Sequence, residues 1–134
     1  MTPADVEDWF AEYLEVYAAC GRGETDDLTV LLDYYLVPLL LTAEPGALSL
    51  TTGTDVLEAV RGQVEGMRAD GYARTETLAA ETEVLNASTA LYRGFFARMR
   101  ADGSEIARFG STYVIVDVAE GRRIAGLLVD SPQG

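Results

Sequence analysis

Histidine and lysine are both absent from this chain, and cysteine occurs once, at Cys20. Without histidine there is no Ser-His or Cys-His nucleophile pair and no imidazole proton shuttle. Without lysine there is no Schiff-base amine and no Walker-type phosphate lysine. A single thiol excludes an internal disulfide. Zinc would have to be held by carboxylates and that one thiol, a poor donor set, so neither a metal nor a cofactor is expected. Positive charge is scarce as well. All ten basic residues are arginine, against 22 acidic ones, for a formal net charge of -12. That balance argues against binding nucleic acid or an anionic membrane surface, and reads as a solubility feature. No apolar run approaches bilayer-spanning length. Met1–Asp5 lacks the basic and apolar regions of a secretory signal, so a cytoplasmic protein is expected.

What is present is enough for one sizeable core. The chain has 134 residues, 49% of them hydrophobic, with charges interspersed, and reads as a single domain over 1–130 with a frayed tail at 131–134. Its organising stretch is Glu105 to Val129: one long strand, a tight turn at Glu120-Gly121, and a second strand from Arg123. Leu91 to Arg100 joins this pair through Asp102-Gly103, a strong hairpin signal. Thr75 to Leu85 supplies a further strand, with a weak point at Ala79-Ala80 that fits a bulge.

Upstream, the period changes to that of helices. Thr2-Pro3-Ala4-Asp5 is a helix start with a cap, a proline at the first position and an acid where a capping box needs one. Val6, Trp9, Phe10, Tyr13, Tyr17 and Cys20 then form one apolar stripe, ended by Gly21 and Gly23. Cys20, at the end of that stripe, reads as an inert buried thiol. A second, shorter helix is expected after Thr25, burying Leu28, Leu31, Leu32 and Tyr35 and stopping before Pro38. Leu39-Leu40-Leu41 and Leu48-Ser49-Leu50 flank the turn Glu44-Pro45-Gly46. Thr54 is expected to cap a third helix with Leu57, Val60, Val64 and Met67 inside. Gly62 and Gly66 lie on one side of it, where another backbone could come close. The class is α+β: three N-terminal helices packed on an antiparallel sheet.

This order resembles the nuclear transport factor 2-like superfamily, which includes ketosteroid isomerases and SnoaL-like polyketide cyclases. The likeness is carried by the aromatic first helix and its Gly-rich end (Tyr13 to Gly23), by Val37-Pro38-Leu39 entering the first strand, and by Thr54-Asp55. The last hairpin also carries it, from Phe109-Gly110-Ser111-Thr112-Tyr113 through Gly121-Arg122-Arg123-Ile124. It implies a cone, in which a curved sheet wraps the helices around a pocket open at one end. It also implies a homodimer through the outer face of the sheet.

The resemblance implies candidate residues too. Ketosteroid isomerases use a carboxylate base with a tyrosine and a protonated acid as oxyanion donors. Glu44 is the carry-over for the base, and Tyr13 or Tyr17 for the tyrosine. The acidic donor would fall near Ser111-Thr112, where no acid stands. Histidine-based cyclase mechanisms do not transfer to a chain without histidine. An epoxide-hydrolase arrangement could be imitated by Arg93 or Arg98 with Asp33, though cross-strand ion pairing is the ordinary role of such arginines. Asp33-Tyr34-Tyr35 forms a polar-aromatic cluster at the expected mouth, and adjacent helical tyrosines cannot face one way. Trp9, Tyr92, Phe96 and Tyr113 are candidate pocket walls, with ordinary core packing as the alternative. Three functions stay open: a domain that binds a small apolar molecule without catalysis, a carboxylate-base isomerase or cyclase, and a protein-interaction module.

Overall fold

The computed structural model describes the chain at residues 1–44 and 46–131. Helix α1, Pro3–Gly21, opens with the expected capping box: the Asp5 amide donates to Thr2 Oγ1 at 3.1 Å and the Thr2 amide donates to Asp5 Oδ2 at 3.3 Å. Its end is a Schellman motif. Gly23 takes φ +79°, its amide donates to the Cys20 carbonyl, and the Glu24 amide donates to the Ala19 carbonyl. Gly21 is required for a different reason. A Cβ there would lie 2.5 Å from Met67 Cε and 2.9 Å from the Tyr72 ring.

The second helix differs from expectation. It is a six-residue 3-10 helix, Leu28–Asp33, capped by the Asp27 side chain, and Tyr35 is already the first residue of strand β1, Tyr35–Ala43. Sheet pairing ends it early: Tyr35 stands opposite Ile124, whose amide donates to the Tyr34 carbonyl at 2.7 Å, whereas Pro38 restricts only Val37. The helical layer is therefore two α-helices and one short 3-10 helix. Strand β2 is Gly46–Leu50 and helix α2 is Gly53–Ala69. Its cap is Thr52 rather than Thr54: Thr52 Oγ1 accepts from the Asp55 amide at 3.1 Å. That start puts Val56, Val60, Val64 and Met67 on the buried side and leaves Leu57 half-buried. Among the described residues nothing lies within 4 Å of a Cβ placed on Gly62 or Gly66, so no described backbone approaches there.

Four long strands follow: β3 Tyr72–Asn86, β4 Thr89–Arg100, β5 Glu105–Val118 and β6 Gly121–Val129. Both glycine turns hold, with Gly103 at φ +88° and Gly121 at φ +129°. The sheet runs β2-β1-β6-β5-β4-β3. All pairs are antiparallel except β1 with β6, which is parallel. The expected purely antiparallel sheet is thus mixed. α2 carries the chain from β2 across to β3 at the far edge, and the meander then returns β6 to lie beside β1. Register shifts at Thr77/Ala79 and Val114/Ile115 mark bulges, the first one or two residues before the weak point read from the sequence.

The core is centred on Phe10, which is fully buried. Its ring stacks on Tyr92 at 4.0 Å, meets Tyr113 edge-on at 4.6 Å, and lies 5.4 Å from Tyr13. Burying such a ring contributes roughly 1.5–3 kcal/mol, before the about 0.5–1.5 kcal/mol of each aromatic pair. Val6, Leu31, Val56, Val64, Ile115 and Ile124 complete this layer.

Candidate functional site

Core packing stops short of one end. Between α1, α2 and the concave side of the sheet lies a cavity of about 320 Å³, partly open to solvent. Residues of both α-helices and all six strands line it, so the sheet wraps around it. α1 presents Tyr13, Leu14 and Tyr17, and α2 presents Val56, Ala59, Val60 and Gln63. The walls come from Tyr35, Leu39 and Leu41 of β1, Phe96 and Arg98 of β4, Phe109, Ser111 and Tyr113 of β5, and Leu127 and Val129 of β6. Strand alternation explains the grouping: residues two apart share a face. The register pairs Phe96 with Phe109 across β4 and β5. Gly94 makes room for this wall, since a Cβ there would sit 2.1 Å from the Phe96 ring.

Most of the lining is apolar. The polar groups are few and, beside the Gln63 amide, of two kinds. The first is a set of hydroxyls. Tyr13 Oη and Tyr35 Oη share a 2.5 Å hydrogen bond. Burial pushes both phenols well above their usual range and pushes Tyr17 up to about 12. Burial raises Tyr113 as well. These tyrosines are therefore neutral donors, not bases, at ordinary pH. Ser111 is 1% exposed and its hydroxyl has no hydrogen-bond partner among the described residues. It lies close enough to Tyr113 to offset part of that phenol's rise, but outside hydrogen-bond geometry. The second kind is a single charge. Arg98 is the one ionised side chain among the described lining residues, and no carboxylate is among them.

Six residues singled out from the sequence meet in the cavity: Tyr13, Tyr17, Tyr35, Phe96, Arg98 and Tyr113. Others stand elsewhere. Trp9 packs against Tyr13 and Tyr34, with ring centroids 6.4 Å and 5.5 Å away. Tyr34 is buried, and its hydroxyl donates to Glu12 at 2.9 Å. Tyr92 is spent on Phe10. Asp33 is exposed at the end of the 3-10 helix, and Arg93 is exposed on the convex face, so neither joins Arg98. Glu44 is exposed, outside the lining, and accepts from Ser131 Oγ at 2.7 Å. Cys20 is buried, and that burial raises its thiol pKa. Of the lining residues not offered as site candidates, Phe109 and Ser111 carried a usable signal: they share the parity of Tyr113 on β5.

A family model described as "NTF2-like protein (DUF6841)" matches residues 4–132, and the chain belongs to that family. No curated protein matches the chain. Solved structures with the same fold include an NTF2-like protein of unknown function from Shewanella oneidensis, at 16% identity and TM-score 0.69, with 94% of this chain and 98% of that one covered. A cystatin-like domain of unknown function from Nostoc punctiforme is 18% identical with TM-score 0.70, covering 100% of this chain and 81% of that one. A nuclear transport factor 2 superfamily protein from Salmonella enterica is 15% identical with TM-score 0.66, covering 99% and 95%. At these identities the likeness speaks for the fold alone. The described helices include none long and apolar enough to cross a membrane.

Proposed function

We propose that this domain binds a small, mainly apolar molecule in the cavity and performs no chemistry of its own there. The supporting observation is the cavity: about 320 Å³, at the lower end of the roughly 300–1,000 Å³ typical of ligand sites, with apolar walls and a few convergent polar groups. An isomerase reading with Glu44 as base lacks the geometry, because a base must reach the proton it removes and Glu44 stands outside. A neutral apolar dye such as Nile red tests the reading. Saturable fluorescence enhancement is expected with the native chain and its loss with Val60→Trp, which fills the cavity. Undiminished binding by a folded Val60→Trp variant would place the dye elsewhere and overturn the reading.

A second reading concerns the opposite face of the sheet, and it supports a homodimer. Leu40 and Phe95 remain 45% and 38% exposed there, on strands whose neighbouring residues Leu39 and Phe96 point into the cavity. Gly126 stands between Leu40 and Val114 on this face and adds no side chain there. Light scattering at twice the chain mass, reduced to one chain by Phe95→Arg, is the expected result. A monomer that co-purifies with a different chain would favour the interaction module instead.

A further inference from the structure

Resting on the ligand-binding reading above, we infer that the cavity's ligand is an amphipathic monocarboxylate, with its anionic head at Arg98 and its apolar body against Leu39, Val60 and Leu127. The chain has 22 carboxylates for ten arginines, and five of those arginines pair with one: Arg22, Arg68, Arg74, Arg108 and Arg122. Arg98 does not, among the described residues. Its only hydrogen bond is a long one, from Nη1 to the neutral Oε1 of Gln63 at 3.4 Å, and its guanidinium rests on the Phe109 ring, 4.9 Å from the centroid. Asp70 borders a second, smaller cleft that Arg98 also lines, without an ion pair between them. A half-buried guanidinium without a counter-ion has lost hydration that one long amide hydrogen bond and a ring face replace only in part.

The neighbouring donors fit an anion. The Arg98 charge is near enough to act on the Tyr17 and Tyr113 phenols, drawing both down against the rise that burial imposes. Those phenols stay protonated and can donate. Ser111, buried and unpartnered in the same wall, is a further hydroxyl donor without an acceptor. One planar, bidentate group offering several lone pairs answers these donors together, and arginine's fork matches a carboxylate. The net charge of -12 does not forbid it, because screening over about 8 Å at physiological salt leaves the local guanidinium dominant.

Calorimetric titration with octanoate and with 1-octanol tests this on the native chain. The two probes share a tail and differ in the head. Octanoate is expected to bind roughly tenfold to hundredfold more tightly, the range of one charge-assisted hydrogen bond. Arg98→Met is expected to bring octanoate down to the level of octanol, and Arg98→Lys to retain part of the preference. If octanol binds as tightly as octanoate to the native chain, the anionic head is wrong and the apolar cavity stands. If neither probe binds, the cavity reading itself fails and this inference falls with it.

Discussion

Val60→Phe separates a hollow interior from a filled one. Val60 sits on the buried face of α2, 7% exposed, and borders the cavity; Val64, one turn later on the same face, is 1% exposed and does not. Phenylalanine adds four carbons at either site. In a close-packed interior such an insertion costs about 1–3 kcal/mol, because neighbours must leave their rotamers. Next to a cavity of about 320 Å³ the ring has room, and cavity filling commonly gives about 0.5–2 kcal/mol of stabilisation. Urea denaturation followed by tryptophan fluorescence reads the difference through the midpoint, at unchanged slope. Val60→Phe is expected to hold or raise the midpoint, while Val64→Phe lowers it by the overpacking cost. An equal loss in both variants would refute the reasoning, because α2 would then face the same dense packing at both positions.

Other outcomes follow from the same structure. Gly21→Ala drives a methyl into Met67 and the Tyr72 ring, and should cost roughly 1–3 kcal/mol in the same titration, whereas Gly62→Ala, facing open space, should be neutral or slightly stabilising. Alkaline pH should unfold the domain through its buried phenols. Tyr13 and Tyr35 have folded pKa values raised above the unfolded 10, so the native state holds protons that the unfolded state releases, and stability falls as pH climbs past 10. The slope is about 1.4 kcal/mol per pH unit for each phenol, and Tyr13→Phe should remove its share in denaturation curves taken between pH 9 and 11. Glu44→Gln should leave both stability, within about 0.5 kcal/mol, and dye affinity unchanged.

The features legible in the sequence were those set by neighbours along the chain. The Thr2/Asp5 box, the Gly23 helix end, and the turns at Gly103 and Gly121 all rest on local backbone chemistry, and each stands where the residues placed it. The parallel pairing of β1 with β6 joins residues more than 80 positions apart, Leu40 with Gly126 for instance, and no local pattern encodes it. The second helix was expected, but its 3-10 type was not legible, because Leu28, Leu31 and Leu32 satisfy either helical period over so short a run, and the pairing of Tyr35 with Ile124 ends it. At the site, Phe96 and Tyr113 line the cavity, yet Tyr92, which shares the strand parity of Phe96, is covered by Phe10. Which part of one sheet face is covered and which is left hollow depends on where α1 lies along the strands, and that is a tertiary fact. Glu44 was drawn from the position of a turn in the chain, which does not determine which way a side chain points.

Isotope-edited NMR during a 1-octanol titration bears most directly on whether this interior is a ligand site. Methyl shifts that saturate and cluster at Leu39, Val60 and Leu127, with those of the outward-facing Leu40 and Leu78 still, are the predicted result. Shifts confined to the outer leucines, or none that saturate, would contradict it.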